Sequence, residues 1–232
     1  MRLRGKWTVI FAVTTLTACQ AGGTASLKTD DEIASYGFGL DIGRSLEPTV
    51  THLDRAALML GIQDALDGRD PAIPTEQLAE VTQRVGTLIQ EEQRAEFDAT
   101  TESNRLEGEA YLALNGERDG VTTTTSGLQY EVLQEGEAGG AQPTPADQVS
   151  IHYRGTLIDG TEFDSSYSRG QPAQFGVLGV IPGFSEGLQL MTMGGRYRFV
   201  IPSDIAYGPQ GAGGDIGPNA TLIFEIELLD VL

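Results

Sequence analysis

The period of the hydrophobic pattern changes once along this chain, between residues 115 and 120. Before the change, apolar side chains recur every three or four residues, which is the spacing of one helix face. After it they largely alternate, as they do in strands with one buried face. Asn115-Gly116 and Asp119-Gly120 mark the boundary, because such pairs favour turns. The pattern predicts an all-helical part followed by an antiparallel α+β part, and 232 residues are enough for two modest domains.

Start and stop signals predict three helices in the first part. We expect one from Asp30 to Leu46 and a second that has Thr51 as its N-cap and ends at Gly68. A third begins at Thr75 and continues to Leu114, a length of about 60 Å at the helical rise. Its stretch from residue 90 to residue 109 is polar nearly all round, and such helices usually bridge two bodies through solvent.

The helical part offers few apolar residues for a core of its own. Its glycines at positions 37, 39 and 43 also lower helix propensity, which is explained if another helix packs very close. We therefore expect these helices to pair with a second copy of the chain, because a small monomeric core would be marginal. The alternative, a small bundle folded back on the second domain, stays open at this point.

The first residues have the features of an export signal. A basic segment, residues 1–6, precedes an apolar run of 12 residues that is too short to span a bilayer comfortably. The run leads into Leu-Thr-Ala-Cys at residues 16–19, which resembles the lipobox of bacterial lipoproteins. In those proteins the cysteine becomes the lipidated N-terminus, so Cys19 is the expected lipidation site and Gln20 after it suggests the outer membrane. An ordinary signal peptide, cleaved near Ala21, is the alternative.

Composition restricts the partners of the chain. The formal net charge is −18, which disfavours binding to nucleic acid and docking to anionic lipid. We expect no nucleic-acid partner and membrane attachment through a lipid anchor only. Cys19 is the sole cysteine, so an intramolecular disulfide is not available.

Residues for nucleophilic or metal chemistry are scarce. No His/Cys cluster at metal-ligand spacing occurs, so neither a cofactor nor a metal is expected. His152 neighbours Tyr153 in a predicted strand and lies on the opposite face, as an ordinary sheet histidine would. The glycine-rich segment 211–217 lacks the Lys-Ser/Thr of a phosphate-binding loop, and we expect a flexible surface loop there.

A β-hairpin is predicted for residues 152–166, with Asp159-Gly160 as its turn. Its second arm places Phe163 next to Asp164. Neighbours in a regular strand point to opposite faces, so the strand must bend or bulge there if both side chains serve one pocket. Residues 182–190 are the one short helix expected in this part of the chain.

Residues 127–232 resemble the FKBP family, the macrolide-binding peptidyl-prolyl cis-trans isomerases. The motifs are, in order, V-x-I-H-Y-x-G-x-L-x-D-G-x-x-F-D-S-S at 149–166, V-I-P-G-F at 180–184, A-Y-G at 206–208 and P-N-A-T-L-I-F at 218–224. The segment S-Y-G-x-G-x-D-I-G-x-S-L at 35–46 is similar to the dimerisation domain of the macrophage infectivity potentiator type.

The resemblance implies a complete domain plan. It comprises a signal peptide (1–18), a tether (19–28), a helical dimerisation domain (29–90), a helical stalk (91–116) and an FKBP domain (121–232). The last would be an antiparallel half-barrel sheet wrapped on one short helix. The implied setting is the periplasmic side of a bacterial envelope, where a homodimer would act on X-Pro bonds of unfolded or partly folded proteins.

The family pattern implies catalytic roles for three residues. The backbone N–H of Ile181 and the hydroxyl of Tyr207 would each hold a substrate carbonyl. Asp164 would lie at the pocket edge, oriented by Tyr153 and Arg169. A structural carboxylate at the bulge and a packed tyrosine are the alternatives for Asp164 and Tyr207.

The same pattern implies an apolar pocket that needs no nucleophile. Phe184 would form its floor, where the family commonly has Trp, and Ile216 would overhang its mouth. The implied walls are Tyr153, Phe163, Phe175, Val180, Ile181 and Phe224. A chaperone that holds unfolded clients, with weak or no isomerase activity, is the alternative function.

Overall fold

The computed structural model describes residues 27–232 of the chain. The predicted signal peptide, the lipidation site Cys19 and the tether up to residue 26 lie outside the described residues. The chain divides after Pro71 into two units. In residues 27–232 no helix is both long enough and apolar enough to cross a membrane.

The first unit contains two helices, α1 (Asp30–Ser45) and α2 (Arg55–Leu66), with a 3₁₀ helix at Glu47–His52 between them. Thr29 caps α1 in a reciprocal capping box with Glu32. The expectation that Thr51 caps the second helix is wrong, because Thr51 lies within the 3₁₀ helix. Asp54 is the cap, and its carboxylate accepts a hydrogen bond from the Ala57 N–H at 2.8 Å.

Within the described part of a single chain, neither helix of this unit buries a residue. Phe38 is 69% exposed, and Tyr36 and Ile33 are more than half exposed. A Cβ atom added at the glycines of α1 would meet nothing within 4 Å. Many of the large apolar side chains of this unit are therefore exposed, and the space beside the α1 glycines is empty.

The second unit begins with α3 (Thr75–Gly116), a single helix of 42 residues. The predicted long helix is confirmed, and it ends two residues beyond Leu114. From Thr101 onward one face of α3 packs on the C-terminal sheet, which differs from the solvent-exposed bridge expected for this stretch. The contacts are polar or small rather than apolar, so hydrophobic periodicity did not reveal them. Residues on this face are Thr101, Asn104, Gly108, Tyr111, Leu112 and Asn115.

The remainder is an open antiparallel sheet with one short helix, α4 (Pro182–Leu190). The strand order is β1-β2-β6-β7-β3-β4, and β5 pairs with β3. This confirms the predicted α+β class, and the helix has the predicted bounds. The strands are β1 (Val121–Thr123), β2 (Gln129–Gln134), β3 (Gln148–Leu157), β4 (Glu162–Ser165), β5 (Ala173–Gly176), β6 (Arg196–Ile201) and β7 (Leu222–Val231).

One face of the sheet supplies the core. Ile151, Phe199 and Ile226 come from three different strands and are fully buried, and Leu188 of α4 joins them in the same hydrophobic cluster. Alternation along each strand sends every second side chain to this face. The core fixes the position of α4 beside the sheet, and the N-terminal end of α4 is where the candidate site lies.

Candidate active site

A cavity of about 430 Å³ lies among β3, β4, β5, β7, the start of α4 and the segment from Tyr207 to Ile216. We call it the aromatic cavity. Its lining residues are Tyr153, Phe163, Asp164, Phe175, Gly179, Val180, Ile181, Phe184, Tyr207, Ala212, Gly213, Asp215, Ile216 and Phe224. Ten of the eleven residues named from the sequence lie in this lining. Arg169 does not, but it binds Asp164 from outside.

Edge-to-face contacts between aromatic rings build the floor and walls of the cavity. Phe184 is 4% exposed, and its ring centroid lies 4.9 Å from that of Phe224, with the ring planes at 88°. Tyr153 and Phe175 stand against Phe184 at 6.2 Å and 6.4 Å. T-shaped pairs are favourable because the electropositive edge of one ring faces the electron-rich face of another. The result is a rigid apolar surface at the bottom of the cavity.

A glycine in β3 makes room for the next pair of rings. Phe163 and Phe224 pack edge to face at 5.5 Å across Gly155. A Cβ atom at this position would lie 2.7 Å from the Phe163 ring and 2.8 Å from the Phe224 ring. Only a residue without a side chain permits this packing.

The predicted irregularity in the second arm of the hairpin is present. Gly155 pairs with Asp164 and Thr156 pairs with Glu162, so Phe163 is the extra residue of a β-bulge. The turn lies at the predicted position, but its central residues are Ile158 and Asp159, because Gly160, with a φ of 92°, donates its N–H to the Leu157 carbonyl. The bulge explains how adjacent residues, Phe163 and Asp164, both line the cavity.

Asp164, Tyr153 and Arg169 form a hydrogen-bonded cluster at the edge of the cavity. The Tyr153 hydroxyl and the Arg169 guanidinium both donate to the Asp164 carboxylate, and Arg169 Nη2 also donates to the Tyr153 oxygen at 2.7 Å. The Arg169 guanidinium lies 5.5 Å from the centre of the Tyr153 ring. The cluster fixes the position of the Tyr153 ring, which is one wall of the cavity.

The protonation state of this cluster follows from its contacts. Burial alone would raise the pKa of Asp164, but the hydrogen bonds from Tyr153 and Arg169 outweigh burial and hold that pKa below its ordinary value. Burial, followed by the hydrogen bond to Asp164, raises the pKa of the Tyr153 phenol. At neutral pH the carboxylate is therefore ionised and the phenol keeps its proton.

Tyr207 and Ile181 line the cavity from separate elements. Tyr207 is 42% exposed, and its hydroxyl has no hydrogen-bond partner among residues 27–232. Ile181 is the N-cap residue of α4, and its carbonyl accepts the N–H groups of Phe184 and Ser185 at 3.0 Å. Pro182 follows as the first residue of the helix, where its missing N–H costs nothing.

The glycine-rich segment 211–217 also contributes to the cavity. The N–H and carbonyl groups of Ala212 and Ile216 exchange hydrogen bonds of 2.9 Å and 3.1 Å, which closes a tight turn. Ala212, Gly213 and Asp215 line the cavity, and Ile216 is only 8% exposed. No sequence motif pointed to Ala212, Gly213, Asp215 or Gly179 as lining residues. The signal that could have found three of them is their position between Tyr207 and Ile216.

His152 lies outside the cavity, as its strand position predicted. Its Nδ1 atom is 3.0 Å from the Ser166 hydroxyl, and its ring stacks on Tyr167 at 4.7 Å. In residues 27–232 no group of three or more His, Cys, Asp or Glu side chains is arranged to hold a metal ion.

Two family models match the chain. The model for the FKBP-type peptidyl-prolyl cis-trans isomerase domain matches residues 139–229. The model for the domain amino-terminal to FKBP-type isomerases matches residues 31–132. Together the two matches cover nearly all of the described residues.

Curated relatives are similar over most of their length. The chain is 44% identical to the FKBP-type 22 kDa peptidyl-prolyl cis-trans isomerase of Escherichia coli, over 90% of this chain and 99% of that protein. It is 38% identical to the outer membrane protein MIP of Legionella longbeachae, over 100% and 98% of the two chains. Among solved structures, FkpA from Escherichia coli superposes with a TM-score of 0.66 at 36% identity, covering 89% of this chain and 98% of that one.

Proposed function

Because the chain belongs to the FKBP-type peptidyl-prolyl cis-trans isomerases, and is thus an enzyme of that class, we propose that it isomerises X-Pro bonds in the aromatic cavity. The observation that carries this proposal is the geometry of the cavity. Five aromatic rings enclose its base, and its walls include a helix N-cap residue and a phenol that has no hydrogen-bond partner in the described part of the chain. These are the features that binding a proline ring and its two flanking carbonyl groups would require.

The reaction breaks no covalent bond, which fits a site without a nucleophile. Rotation about a peptide bond costs roughly 18–20 kcal/mol because amide resonance is lost midway. Uncatalysed X-Pro exchange takes roughly tens to hundreds of seconds. Millisecond turnover would need roughly 10⁴- to 10⁵-fold acceleration, which corresponds to about 5–7 kcal/mol of preferential binding to the twisted amide.

The cavity can favour the twisted amide in two ways. A twisted amide has less charge separation than a planar one, so its carbonyl loses less when it moves from water to an apolar wall. Phe184 would support the proline ring from below, and the Tyr207 hydroxyl and the Ile181 N–H would bind the flanking carbonyl groups. These donors sit on preorganised elements, so little reorganisation is needed during rotation.

Asp164 has a positioning role in this proposal. Its carboxylate is held by two donors, so it is not a free base. It orients the Tyr153 ring at the edge of the cavity. The proposal assigns the remaining wall contacts to Phe163, Phe175, Val180, Ile216 and Phe224.

Replacement of Tyr207 by Phe tests the proposal most directly. The change removes one hydroxyl and keeps the ring, so kcat/KM for a Leu-Pro tetrapeptide should fall roughly 2- to 10-fold, the value of one neutral hydrogen bond. Tyr167→Phe is the matched control, because Tyr167 is similarly exposed but stacks on His152 outside the cavity. Protease-coupled isomerisation measures both. Equal kcat/KM values for wild type and Tyr207→Phe would show that the Tyr207 hydroxyl does not take part in catalysis.

We further propose that the enzyme assists folding of exported proteins on the periplasmic side of a bacterial envelope. Support comes from the lipobox-like residues 16–19 and from a relative that is named an outer membrane protein. A lipid on Cys19 would hold the enzyme at that membrane. In this setting its substrates are unfolded or partly folded chains that contain proline.

We also propose that two copies pair through the first unit. The exposed apolar side chains of α1 and α2, and the empty space beside the α1 glycines, are what an intertwined second copy would fill. The match of residues 31–132 to the amino-terminal family model supports the same proposal.

A further inference from the structure

The aromatic cavity contains a charge that the proposed mechanism does not use, the carboxylate of Asp215. It lies at the exposed rim, in the turn that the two Ala212–Ile216 hydrogen bonds close. Among residues 27–232 no group forms a hydrogen bond or an ion pair with it. The turn therefore holds an unpaired carboxylate beside the space that a substrate would enter.

The other charge in the lining is already compensated. Asp164 is bound by the Arg169 guanidinium, so that pair contributes little net charge to the cavity. Asp215 is the only other charged residue that lines it. The net charge of the lining and its immediate partner is therefore set by Asp215 and is negative.

The rest of the C-terminal domain adds to this field. Residues 121–232 contain thirteen acidic residues, four arginines and no lysine. Besides Arg169, Arg154 pairs with Glu162 and Arg196 pairs with Glu225, so neither is free to compensate the rim. Near and distant charges both make the potential at the cavity negative, which attracts cations and repels anions.

We propose that Asp215 makes this enzyme select X-Pro bonds that have a lysine or arginine beside the proline, and disfavour those with aspartate or glutamate there. This inference rests on the proposed function of the cavity. A residue that flanks a proline bound over Phe184 must lie at the rim, where its charge meets Asp215. The rim is solvent-exposed, so the discrimination is moderate, roughly three- to tenfold between the two charge signs, and it weakens with salt.

The test compares three tetrapeptides of the form Ala-Xaa-Pro-Phe, with Xaa as Lys, Leu or Glu, at low ionic strength. In the wild-type protein, kcat/KM for the Lys peptide should exceed that for the Glu peptide by roughly three- to tenfold. Asp215→Asn should bring this ratio close to one, and Asp215→Lys should reverse it. The ratio cancels any general effect of the substitution on activity.

Asp204→Asn is the matched control. Asp204 is an exposed acid in a short 3₁₀ helix, three residues before Tyr207, and it does not line the cavity. The Asp204→Asn substitution changes the net charge of the protein by the same amount as Asp215→Asn. The Lys/Glu ratio of this variant should stay at the wild-type value.

The outcomes separate this inference from the proposed function. Turnover of the Leu peptide with a wild-type Lys/Glu ratio of one would overturn the inference and leave the proposed function standing. An equal loss of the ratio in Asp215→Asn and Asp204→Asn would also overturn it, because net charge alone would then explain the selection. Failure to turn over any of the three peptides would overturn both.

Discussion

Gly155 is the residue on which the shape of the aromatic cavity depends most directly. Its missing side chain lets Phe163 and Phe224 meet, and a Cβ atom would lie inside the contact distance of both rings. Both rings line the cavity, so a steric change at this one position in β3 is transmitted to two of its walls.

Gly155→Ala should therefore lower both stability and activity. Overpacking of this kind costs about 1–3 kcal/mol of the free energy of unfolding. Displacement of two walls should lower kcat/KM by roughly ten- to a hundredfold. Urea unfolding and the Leu-Pro assay measure the two effects. Gly176→Ala in β5 is the matched control, because a Cβ atom there meets nothing within 4 Å. Unchanged activity in Gly155→Ala would mean that the rings can move without loss.

The pH dependence of activity should reflect the Asp164–Tyr153–Arg169 cluster. The pKa of Asp164 is lowered, so its stabilising contacts are complete above its ordinary value and are lost only as the pH falls through the lowered pKa. The pKa of Tyr153 is raised, so its donated proton is present below its ordinary value and is lost only above it. We expect kcat/KM to be flat between about pH 5 and pH 9. A bell-shaped profile with a pKa near 7 would show that another group titrates in the mechanism.

At the level of elements, α3 supports one side of the aromatic cavity, a role that its polar composition does not indicate. Asn104 Nδ2 donates to the Pro218 carbonyl at 2.7 Å, and Asn219 Nδ2 lies 3.4 Å from the Thr101 carbonyl. Pro218 follows Ile216 by two residues, so the helix is bonded to the segment that forms one side of the aromatic cavity. Gly108 allows the helix to approach Thr221 closely, because a Cβ atom at position 108 would clash with the Thr221 hydroxyl oxygen.

Gly108→Leu should separate α3 from the sheet domain. The side chain has no space beside buried Thr221, so we expect the free energy of unfolding of this domain to fall by about 1–3 kcal/mol, even though Leu is a better helix former than Gly. Ala110→Leu introduces the same residue at an exposed position of the same helix and should be neutral. Urea midpoints compare the two. Equal stability of both variants would mean that the helix is not docked in solution.

At the level of the whole molecule, the first unit lacks a core of its own within the described chain. None of the residues of α1 or α2 is buried, although both helices carry large apolar side chains. Exposed apolar surface of this kind is unfavourable in water unless a partner covers it. Pairing of two copies would also present two aromatic cavities to one unfolded client, which raises their effective concentration.

Phe38→Asp should dissociate the proposed dimer. A carboxylate buried without a partner costs several kcal/mol, so we expect the dissociation constant to rise at least roughly a hundredfold. Leu133→Asp replaces another exposed apolar residue, on β2 of the C-terminal domain, and should leave the assembly unchanged. Sedimentation equilibrium measures both. A monomeric wild type would disprove pairing, and a Phe38→Asp protein that remains dimeric would place the interface elsewhere.

The type and order of the elements, and most of the aromatic cavity, could be predicted from the amino-acid sequence alone. Periodicity separates the helices from the strands, since it records which side chains each element buries locally. The FKBP motifs then identify much of the lining, because eight of its fourteen residues lie within them. Of the eleven site residues named from the sequence, only Arg169 falls outside the lining. The need for a bend at Phe163-Asp164 also follows from strand geometry alone.

The contacts by which distant residues complete this framework are visible only in the folded chain. The bond from Asn104 to Pro218 joins positions 114 residues apart, and its polar partners leave no trace in a hydrophobic pattern. The position of Asp215 on the cavity rim depends on the turn that Ala212 and Ile216 close. Strand geometry requires a bulge only if Phe163 and Asp164 line the same pocket. Pairing with β3 then decides which residue is the extra one. Local patterns encode burial within one element, whereas contacts between elements depend on how the whole chain packs.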